Sequence, residues 1–463
     1  MTDRFTDMLR RKLTVDFNSD KGYLDLRNHS FGIGGVHSMP VPDNIVKATA
    51  ALKPRMIRIF LQEFFFICPE SGVFDWSKMD AYMDAVHATG CDIMASICIK
   101  PNFLYPVVDQ DIWKPNNLEE WQEVITALGL RYSKEKSYVT HWAIANETNI
   151  GEWGGCPYHI PKPEDFFEYY KITAEPIRKV LPDVKVGGPS YAGIAGAKEF
   201  FARFTELCSS NNIIPDFVCY NMYSNDPHEH AQGARDIKNA ISEHLPDTKL
   251  YITEFNIGIG EDLSLEEKAY DPKRAASLAA SIIEFHEDGA LEGSFQYHLY
   301  DQWNDPREFK SWYGMTRYMA HHWNDKPHRL GLFDLDGKIR PQYFLYMMLY
   351  DLTGKRVDLE GVDGILHGFA SVGNSGTLAI FLVNYTEKGT PDIASQLQFD
   401  NAPEGVYRMN VSRIDSTTAA MMKAEPVYEL PPCESRMVYV HSDFSFDIFT
   451  PADSVTLIQF IPE

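Results

Sequence analysis

The chain of 463 residues is 44% hydrophobic and 23% charged, which is typical of a soluble globular protein with one large domain and a smaller one. Its formal net charge of −22 argues against nucleic acid as a partner, because a phosphate backbone would be repelled. No apolar stretch reaches the roughly 18 residues that a membrane span needs, and the N-terminus has no signal-peptide core. We therefore expect a cytoplasmic protein without membrane contact, although a processed secreted form stays open.

Cysteine and histidine spacings predict neither a disulfide framework nor a metal site. The seven cysteines are scattered, and no two of them form a CxxC pair. The groups His228-Glu229-His230 and His321-His322 match no metal-binding spacing. We expect no metal and no cofactor.

Eight short apolar runs alternate with amphipathic stretches over residues 25–354. The runs are continuous rather than alternating, which indicates strands buried on both faces. In the second helical stretch, Ser77 and Asp80 are spaced like a capping box. Eight strand-helix repeats predict an α/β fold, a (β/α)8 TIM barrel. The eight runs are 31–36, 55–61, 91–99, 139–146, 184–188, 216–223, 249–256 and 293–300.

The pattern changes after Gly354. Residues 355–463 contain short apolar runs separated by Gly, Pro, Asn and Asp, with no convincing helical pattern, and predict a C-terminal all-β sandwich domain. Residues 1–24 form an N-terminal segment, whose run KLTVDF (12–17) is expected to pair with the sandwich. A homo-oligomer is compatible with this architecture.

Two glutamates stand where barrel strands end. Glu147 follows Asn146 at the end of the fourth run, and Glu254 lies at the end of the seventh. Either glutamate alone would more often be a solvated loop residue, but strands four and seven face each other across the barrel mouth, where active sites form. A buried arginine within the second run, Arg58, needs a charged partner and would keep Glu254 ionised. Two such carboxylates suit glycoside hydrolysis.

Five segments carry a resemblance to a known family: HWAIANETN, YITEFN, RIFL, CYNMY and GKIRPQYFLYMMLYDLTG. With them, the chain resembles the clan A glycoside hydrolases, and most of all glycoside hydrolase family 39, which contains β-xylosidases and α-L-iduronidases. The resemblance covers the barrel and the trailing sandwich. It implies a carbohydrate substrate and retention of anomeric configuration, with the two carboxyl groups about 5–5.5 Å apart.

The resemblance also implies roles for five residues. Glu147 would be the general acid/base and Glu254 the nucleophile. Asn146 would hydrogen-bond the sugar 2-hydroxyl, and Arg58 would match the clan's arginine on strand two. Tyr223 would donate a hydrogen bond to the nucleophile.

The chain departs from the family pattern around the sugar site. Asn221 stands where a histidine is common, and His298 is expected in place of the strand-eight aromatic ring that floors the −1 sugar. Lys100 follows the third run and would contact a carboxylated sugar or a hydroxyl pair, or else be a surface lysine. Trp153 and Trp303 would stack on sugar faces, or else pack structurally.

Together these features predict a retaining glycoside hydrolase of the xylosidase or arabinosidase type. It would act, from chain ends, on a plant- or polysaccharide-derived glycan. Two alternatives stay open: a non-catalytic carbohydrate-binding barrel, and a metal-dependent barrel lyase or isomerase.

Overall fold

The computed structural model describes residues 8–258, 264–309 and 321–463. Two strands, β1 (Leu9–Asp16) and β2 (Tyr23–Leu24), precede a closed barrel of eight parallel strands, β3 to β10. All eight predicted barrel strands are confirmed, and β10 closes the barrel by pairing with β3. The barrel strands are His29–Gly32, Met56–Gln62, Asp92–Cys98, Val139–Ile144, Lys185–Ala192, Phe217–Tyr223, Lys249–Asn256 and Gly293–Tyr297.

Helices follow the barrel strands and pack their apolar faces against the outside of the barrel, because each has buried residues at helical spacing. The predicted capping box at Ser77 is wrong. Trp76 is the N-cap and makes no side-chain cap bond, while the Asp75 carboxylate accepts the Ser77 backbone N–H at 2.9 Å. The described α-helices up to the end of the barrel are α1 to α10: Asp43–Leu52, Ser77–His87, Leu118–Gly129, Pro163–Val180, Ala197–Ser210, Pro227–Ser242, Glu266–Ala269, Pro272–Asp288, Pro306–Phe309 and Pro341–Asp351.

The C-terminal strands form one curled, mostly antiparallel sheet, as the all-β prediction required. Its order is β16-β15-β18-β13-β12-β11-β1-β14-β17, and β2 pairs with β11. Alternate apolar side chains from most of these strands meet in a core separate from that of the barrel. The strands β11 to β18 are Gly354–Glu360, Leu366–Gly373, Leu378–Asn384, Ile393–Asp400, Gly405–Ile414, Glu434–Val440, Ser445–Thr450 and Ser454–Pro462.

The prediction that this region contains no helix is wrong. Helix α11 (Ser416–Ala424) begins at Asp415, which forms a capping box with Thr418. The helix is only nine residues long and buries just Ala419 and Met422, so its apolar periodicity is too weak to detect in the sequence.

Strand β1 joins the N-terminus to this sheet. It lies between β11, with which it pairs antiparallel, and β14, with which it pairs in parallel along eight residues. Leu13 and Val15 point into the sheet's core and are fully buried. The first described strand is therefore an interior strand of the C-terminal sheet.

Candidate active site

Glu254 lies near the carboxyl end of β9, and both of its oxygens are engaged. Arg58 on β4 donates from Nη1 to Oε1 at 2.6 Å, and the Tyr223 hydroxyl at the end of β8 donates to Oε2 at 2.6 Å. The Arg58 side chain is completely buried. A buried guanidinium needs a carboxylate partner, so this pair holds Glu254 as an oriented, charged group.

Arg58 reaches the other side of the barrel mouth as well. Its Nη2 donates to Asn146 Oδ1 at 2.7 Å, and its Nε donates to the Ser96 hydroxyl at 3.1 Å. The Asn146 amide nitrogen in turn donates to the Gly154 carbonyl at 3.0 Å. One arginine therefore fixes both the carboxylate on β9 and the amide that precedes Glu147.

Asn221 on β8 connects this network to Glu147. Its amide nitrogen donates to Glu147 Oε1 at 2.8 Å and lies 3.2 Å from Asn146 Oδ1. The Thr253 hydroxyl donates to Asn221 Oδ1 at 2.8 Å, which sets the orientation of the amide. Asn221 thus contacts Glu147 directly. Asn146 and Arg58 link it to Glu254.

The pKa of Glu147 is raised well above its usual range. Burial of the carboxyl group is the largest cause, and the negative charge of Glu254 is the next. The raised pKa favours the protonated form of Glu147, whereas Glu254 is ion-paired with Arg58. Because Oε1 accepts the Asn221 amide, the proton belongs on Oε2.

The backbone turns sharply to present Glu147. Both Ala145 and Glu147 have positive φ, at 65° and 46°, a left-handed conformation that L-residues seldom adopt. The Glu147 N–H donates to the Ser190 carbonyl at 2.9 Å, and its own carbonyl accepts the N–H groups of Ile150 and Gly151. These bonds hold the turn, so the carboxyl group points into the barrel mouth.

A glycine packs against the proton-bearing oxygen. The loop from Ile150 to Gly155 folds back over the carboxyl group, and a Cβ atom at Gly154 would lie 2.1 Å from Glu147 Oε2. Only glycine fits at this position without moving the carboxyl group. The glycine at the fourth position of the motif GEWGG (151–155), which follows β6, is thereby explained, although its spacing alone carried no such signal.

The structure puts two neighbouring rings at the end of the eighth barrel strand. His298 is buried, and its Nε2 lies 3.3 Å from Asp301, which Arg340 holds at 2.6 Å. Tyr297 lies beside Tyr223, with the two ring centroids 6.3 Å apart, and burial followed by the negative charge of Glu254 raises the pKa of its hydroxyl. The sequence did not single out Tyr297, because only the strand register distinguishes it from His298.

Lys100 is part of the scaffold under the mouth. Its ammonium donates to the carbonyls of Asp109 and Pro157, at 2.7 and 2.9 Å, and burial lowers its pKa to about 8. It joins two loops, and we assign it no contact with sugar. Trp153 and Trp303 lie in loops after barrel strands, and each is more than half exposed. Their exposure is compatible with stacking on a sugar.

Two further features bear on the class of protein. Within the described part of the chain, no three His, Cys, Asp or Glu side chains are grouped so that they could hold a metal ion. Among the same residues, no helix combines the length and the apolar character needed to cross a lipid bilayer.

A family model described as glycosyl hydrolases family 39 matches residues 68–376, more than half of the chain. The chain belongs to this family. A β-xylosidase from Caldicellulosiruptor saccharolyticus is 24% identical to this family 39 chain over 273 residues, which are 55% of the chain and 50% of that protein. A β-xylosidase from Geobacillus stearothermophilus is 26% identical over 124 residues, 26% of the chain and 23% of that protein. The chain thus spans half or less of the curated relatives that it matches.

Solved structures share the fold of this family 39 chain over its whole length. A GH39 enzyme from Xanthomonas axonopodis pv. citri has a TM-score of 0.75 at 19% identity, covering 100% of this chain and 99% of the other. A monomeric β-xylosidase from Caulobacter crescentus CB15 has the same TM-score and identity, covering 98% and 99%. At this identity the likeness establishes the barrel and its trailing sheet.

Proposed function

We propose that the protein is a retaining O-glycosyl hydrolase in which Glu254 is the nucleophile and Glu147 the general acid/base. The observation that carries the proposal is the contrast between the two carboxyl groups. Glu254 is ion-paired with Arg58, whereas burial and the charge of Glu254 raise the pKa of Glu147. One charged and one protonated carboxyl group at a single barrel mouth are the pair that double displacement needs.

In the first step, Glu147 gives its proton to the glycosidic oxygen while Glu254 attacks the anomeric carbon. The C–O bond to the leaving group breaks, and a covalent glycosyl ester forms on Glu254. The ester has no negative charge, so one cause of the raised pKa of Glu147 disappears. Glu147 then accepts a proton from water, the hydroxyl attacks the anomeric carbon, and Glu254 is released.

The surrounding residues position the sugar. Asn146 is fixed by Arg58 and accompanies the acid/base, where it would hydrogen-bond the 2-hydroxyl. Arg58 donates to Oε1 of the nucleophile Glu254, and the Tyr223 hydroxyl donates to its other oxygen, Oε2. Asn221 and the strand-eight rings Tyr297 and His298 would line the −1 subsite.

For the substrate, we propose an unsubstituted pentoside of the xyloside or arabinoside type, cleaved from the end of a plant- or polysaccharide-derived chain. Two relatives are β-xylosidases, which supports a xyloside. The sequence suggested Lys100 as a contact for a carboxylated sugar. Its ammonium group instead donates hydrogen bonds to two backbone carbonyls. A non-catalytic carbohydrate-binding barrel would bind such sugars without turnover.

The proposal is tested with 2-deoxy-2-fluoro glycosides that carry good leaving groups. The fluorine slows breakdown of the covalent intermediate, so the intact-protein mass should increase by one glycosyl unit with the xylo sugar. Peptide mapping should place the added mass on Glu254, and the Glu254→Gln variant should show none. An adduct on another residue, or rapid cleavage of aryl xylosides without any adduct, would contradict the proposed mechanism.

The alternative of a metal-dependent lyase or isomerase predicts a different result. Such an enzyme would lose its activity on dialysis against a chelator and regain it with a divalent cation. A glycosidase acting through Glu147 and Glu254 should keep its full rate of aryl xyloside cleavage under the same treatment.

A further inference from the structure

The orientation of the Asn221 amide is fixed by a chain of hydrogen bonds that starts at Arg58. A guanidinium can only donate, so the Asn146 atom that Arg58 Nη2 contacts at 2.7 Å is the carbonyl oxygen Oδ1. The Asn221 atom that lies 3.2 Å from this oxygen is then the amide nitrogen, which also donates to Glu147 Oε1 at 2.8 Å. The other atom of the amide, Asn221 Oδ1, is left as an acceptor that needs a donor of its own.

Thr253 on β9 supplies that donor. Its hydroxyl lies 2.8 Å from Asn221 Oδ1 and 3.2 Å from the Tyr220 carbonyl, so the amide oxygen is the nearer acceptor for the single hydroxyl hydrogen. Among the contacts of the described residues, no second group donates to Asn221 Oδ1. The exposed fractions are 0% for Thr253 and 1% for Asn221, so bulk water does not reach this contact. The Thr253 hydroxyl is thus the end of the chain that orients the amide.

Strand β9 has one extra residue at Thr253. In the pairing of β8 with β9, Tyr220 lies opposite Ile252. The next pair is Asn221 with Glu254, so Thr253 has no counterpart on β8. Bulges of this kind redirect side chains and are common next to active sites. Here two consecutive residues of one strand, Thr253 and Glu254, both contact side chains of the active-site network.

We propose that Thr253 is a positioning residue for the general acid/base, because its hydroxyl holds the Asn221 amide with the nitrogen facing Glu147 Oε1. While Oε1 accepts that bond, the proton stays on Oε2 and is transferred to the glycosidic oxygen from there. Thr253 itself is fully buried and acts through Asn221 rather than on the substrate. The inference rests on the proposed retaining mechanism and adds a residue that acts at one remove from the reacting atoms.

Loss of the Thr253 hydroxyl has two consequences for Glu147. The amide is no longer held, so its bond to Oε1 weakens and the acid is less well aligned with the glycosidic oxygen. Burial and the charge of Glu254 raise the pKa of Glu147, whereas the bond from Asn221 lowers it, so weakening this bond raises the pKa further. The alkaline limb of the pH profile should therefore move to higher pH. The other ionisable groups that interact with Glu147 remain in every variant used below: Arg58 on β4, Cys156 after β6, Tyr223 on β8 and Tyr297 on β10.

Thr253→Val tests the proposal, because it replaces the hydroxyl with a methyl group of similar size. Two substrates are compared: methyl β-D-xyloside, whose leaving group needs a proton, and 2,4-dinitrophenyl β-D-xyloside, whose leaving group needs none. The kcat/KM for the methyl xyloside should fall at least about tenfold, and that for the dinitrophenyl xyloside less than about twofold. The alkaline limb for the methyl xyloside should move to higher pH. Thr253→Ala removes the same hydroxyl and takes the place of the valine variant if the latter does not fold.

Two further variants control for effects on the fold. Thr253→Ser retains the hydroxyl and should restore both the ratio of the two kcat/KM values and the native pH profile. Thr205→Val makes the same exchange at a fully buried threonine of α5, whose hydroxyl donates to the Phe201 carbonyl at 2.7 Å, and should change neither. Equal losses for the two substrates in Thr253→Val, or an alkaline limb that does not move, would indicate a purely structural role and overturn the proposal.

Infrared difference spectra separate this inference from the proposed function. The carbonyl stretch of a protonated carboxyl group disappears on ionisation, and subtraction of the Glu147→Gln spectrum gives the titration of Glu147 without any turnover. If the native protein cleaves no xyloside, the proposed function fails, and the inference is judged from this titration alone. A titration that moves to higher pH in Thr253→Val but not in Thr205→Val supports the inference. Identical titrations in the native protein and Thr253→Val would overturn it.

Discussion

At the scale of single residues, Glu147 has the more demanding position of the two carboxyl groups. In the proposed mechanism it must hold a proton beside the ion pair of Glu254 with Arg58. Burial and the neighbouring charge raise its pKa, and the Asn221 amide opposes this only in part. The acid form is therefore present at low pH, persists above the usual range of a glutamic acid, and is lost as the pH rises through the raised pKa.

This predicts the alkaline limb of the pH profile. The kcat/KM for aryl or alkyl xylosides should fall on the alkaline side as Glu147 loses its proton. Glu147→Gln should lower kcat/KM for alkyl xylosides by about 10²–10⁴-fold and abolish that limb. Substrates whose leaving groups need no protonation should lose less in the glycosylation step. An alkaline limb that persists in Glu147→Gln would assign it to another group.

The close packing of Gly154 against Glu147 gives a second prediction at the scale of single residues. In Gly154→Ala the new methyl group would displace Glu147 Oε2, and a displacement of about 1 Å can reduce kcat/KM by about 10²-fold. The control is Gly364→Ala, where a Cβ atom meets nothing within 4 Å. Steady-state rates and thermal unfolding midpoints are measured for both variants. Gly154→Ala should lose activity while retaining a cooperative unfolding transition, and equal activity in the two variants would refute the assigned contact.

At the scale of elements, the ends of β4 and β5 are coupled through a buried carboxyl group. Glu63 begins the 3-10 turn after β4, and its Oε2 accepts the Lys100 N–H at 2.6 Å. Burial raises the pKa of Glu63 from 4.5 to about 8. The unfolded chain ionises this group at lower pH than the folded chain does, so Glu63 lowers stability progressively from about pH 4.5 to about pH 8.

Glu63→Gln tests this linkage. The amide oxygen can still accept the Lys100 N–H, but the group no longer titrates. The variant should match the native protein below pH 4.5 and be more stable by about 2–4 kcal/mol above pH 8. Urea unfolding at several pH values measures the difference, with the exposed Glu404→Gln as control. A difference that does not depend on pH would contradict the titration of Glu63.

The elements themselves differ in how well the sequence predicts them. The barrel strands are buried on both faces, so their continuous apolar runs identify all eight. Helix α11 escapes detection because it buries only two residues. The capping box predicted at Ser77 is wrong because Ser77 is already the first residue of α2, and the Asp75 carboxylate accepts its backbone N–H. Apolar periodicity therefore predicts elements whose burial is extensive and says little about those held by single side-chain bonds.

At the scale of the whole molecule, β1 makes the two ends of the chain depend on each other. It separates β11 from β14 in the curled sheet, so β14 and β17 connect to the remaining strands through it. Val15 is buried in the sheet's core, whereas Lys12 on the same strand is exposed. An N-terminal strand thus completes a sheet whose strands β11 to β18 lie more than 300 residues later.

Substitutions on the two faces of β1 test this dependence. Val15→Asp places a carboxylate without a partner in the sheet's core and should lower the free energy of unfolding by about 4 kcal/mol or more. Lys12→Asp on the exposed face should change it by less than about 1 kcal/mol. Chemical denaturation of both variants gives the comparison. Equal destabilisation by the two would show that the core contact of β1 is unimportant.

The sequence by itself determined the barrel, the all-β character of the C-terminal region and the two carboxylates with Arg58. These follow from apolar periodicity and from the rule that strand ends share one face of a barrel, which are local properties of the chain. Only the tertiary structure decided that Asn221 bonds Glu147, that Gly154 packs on its oxygen, that Lys100 joins two loops and that Tyr297 lies near the carboxylates. Such contacts depend on strand register and loop path, which are set by residues far apart in sequence and leave no periodic pattern.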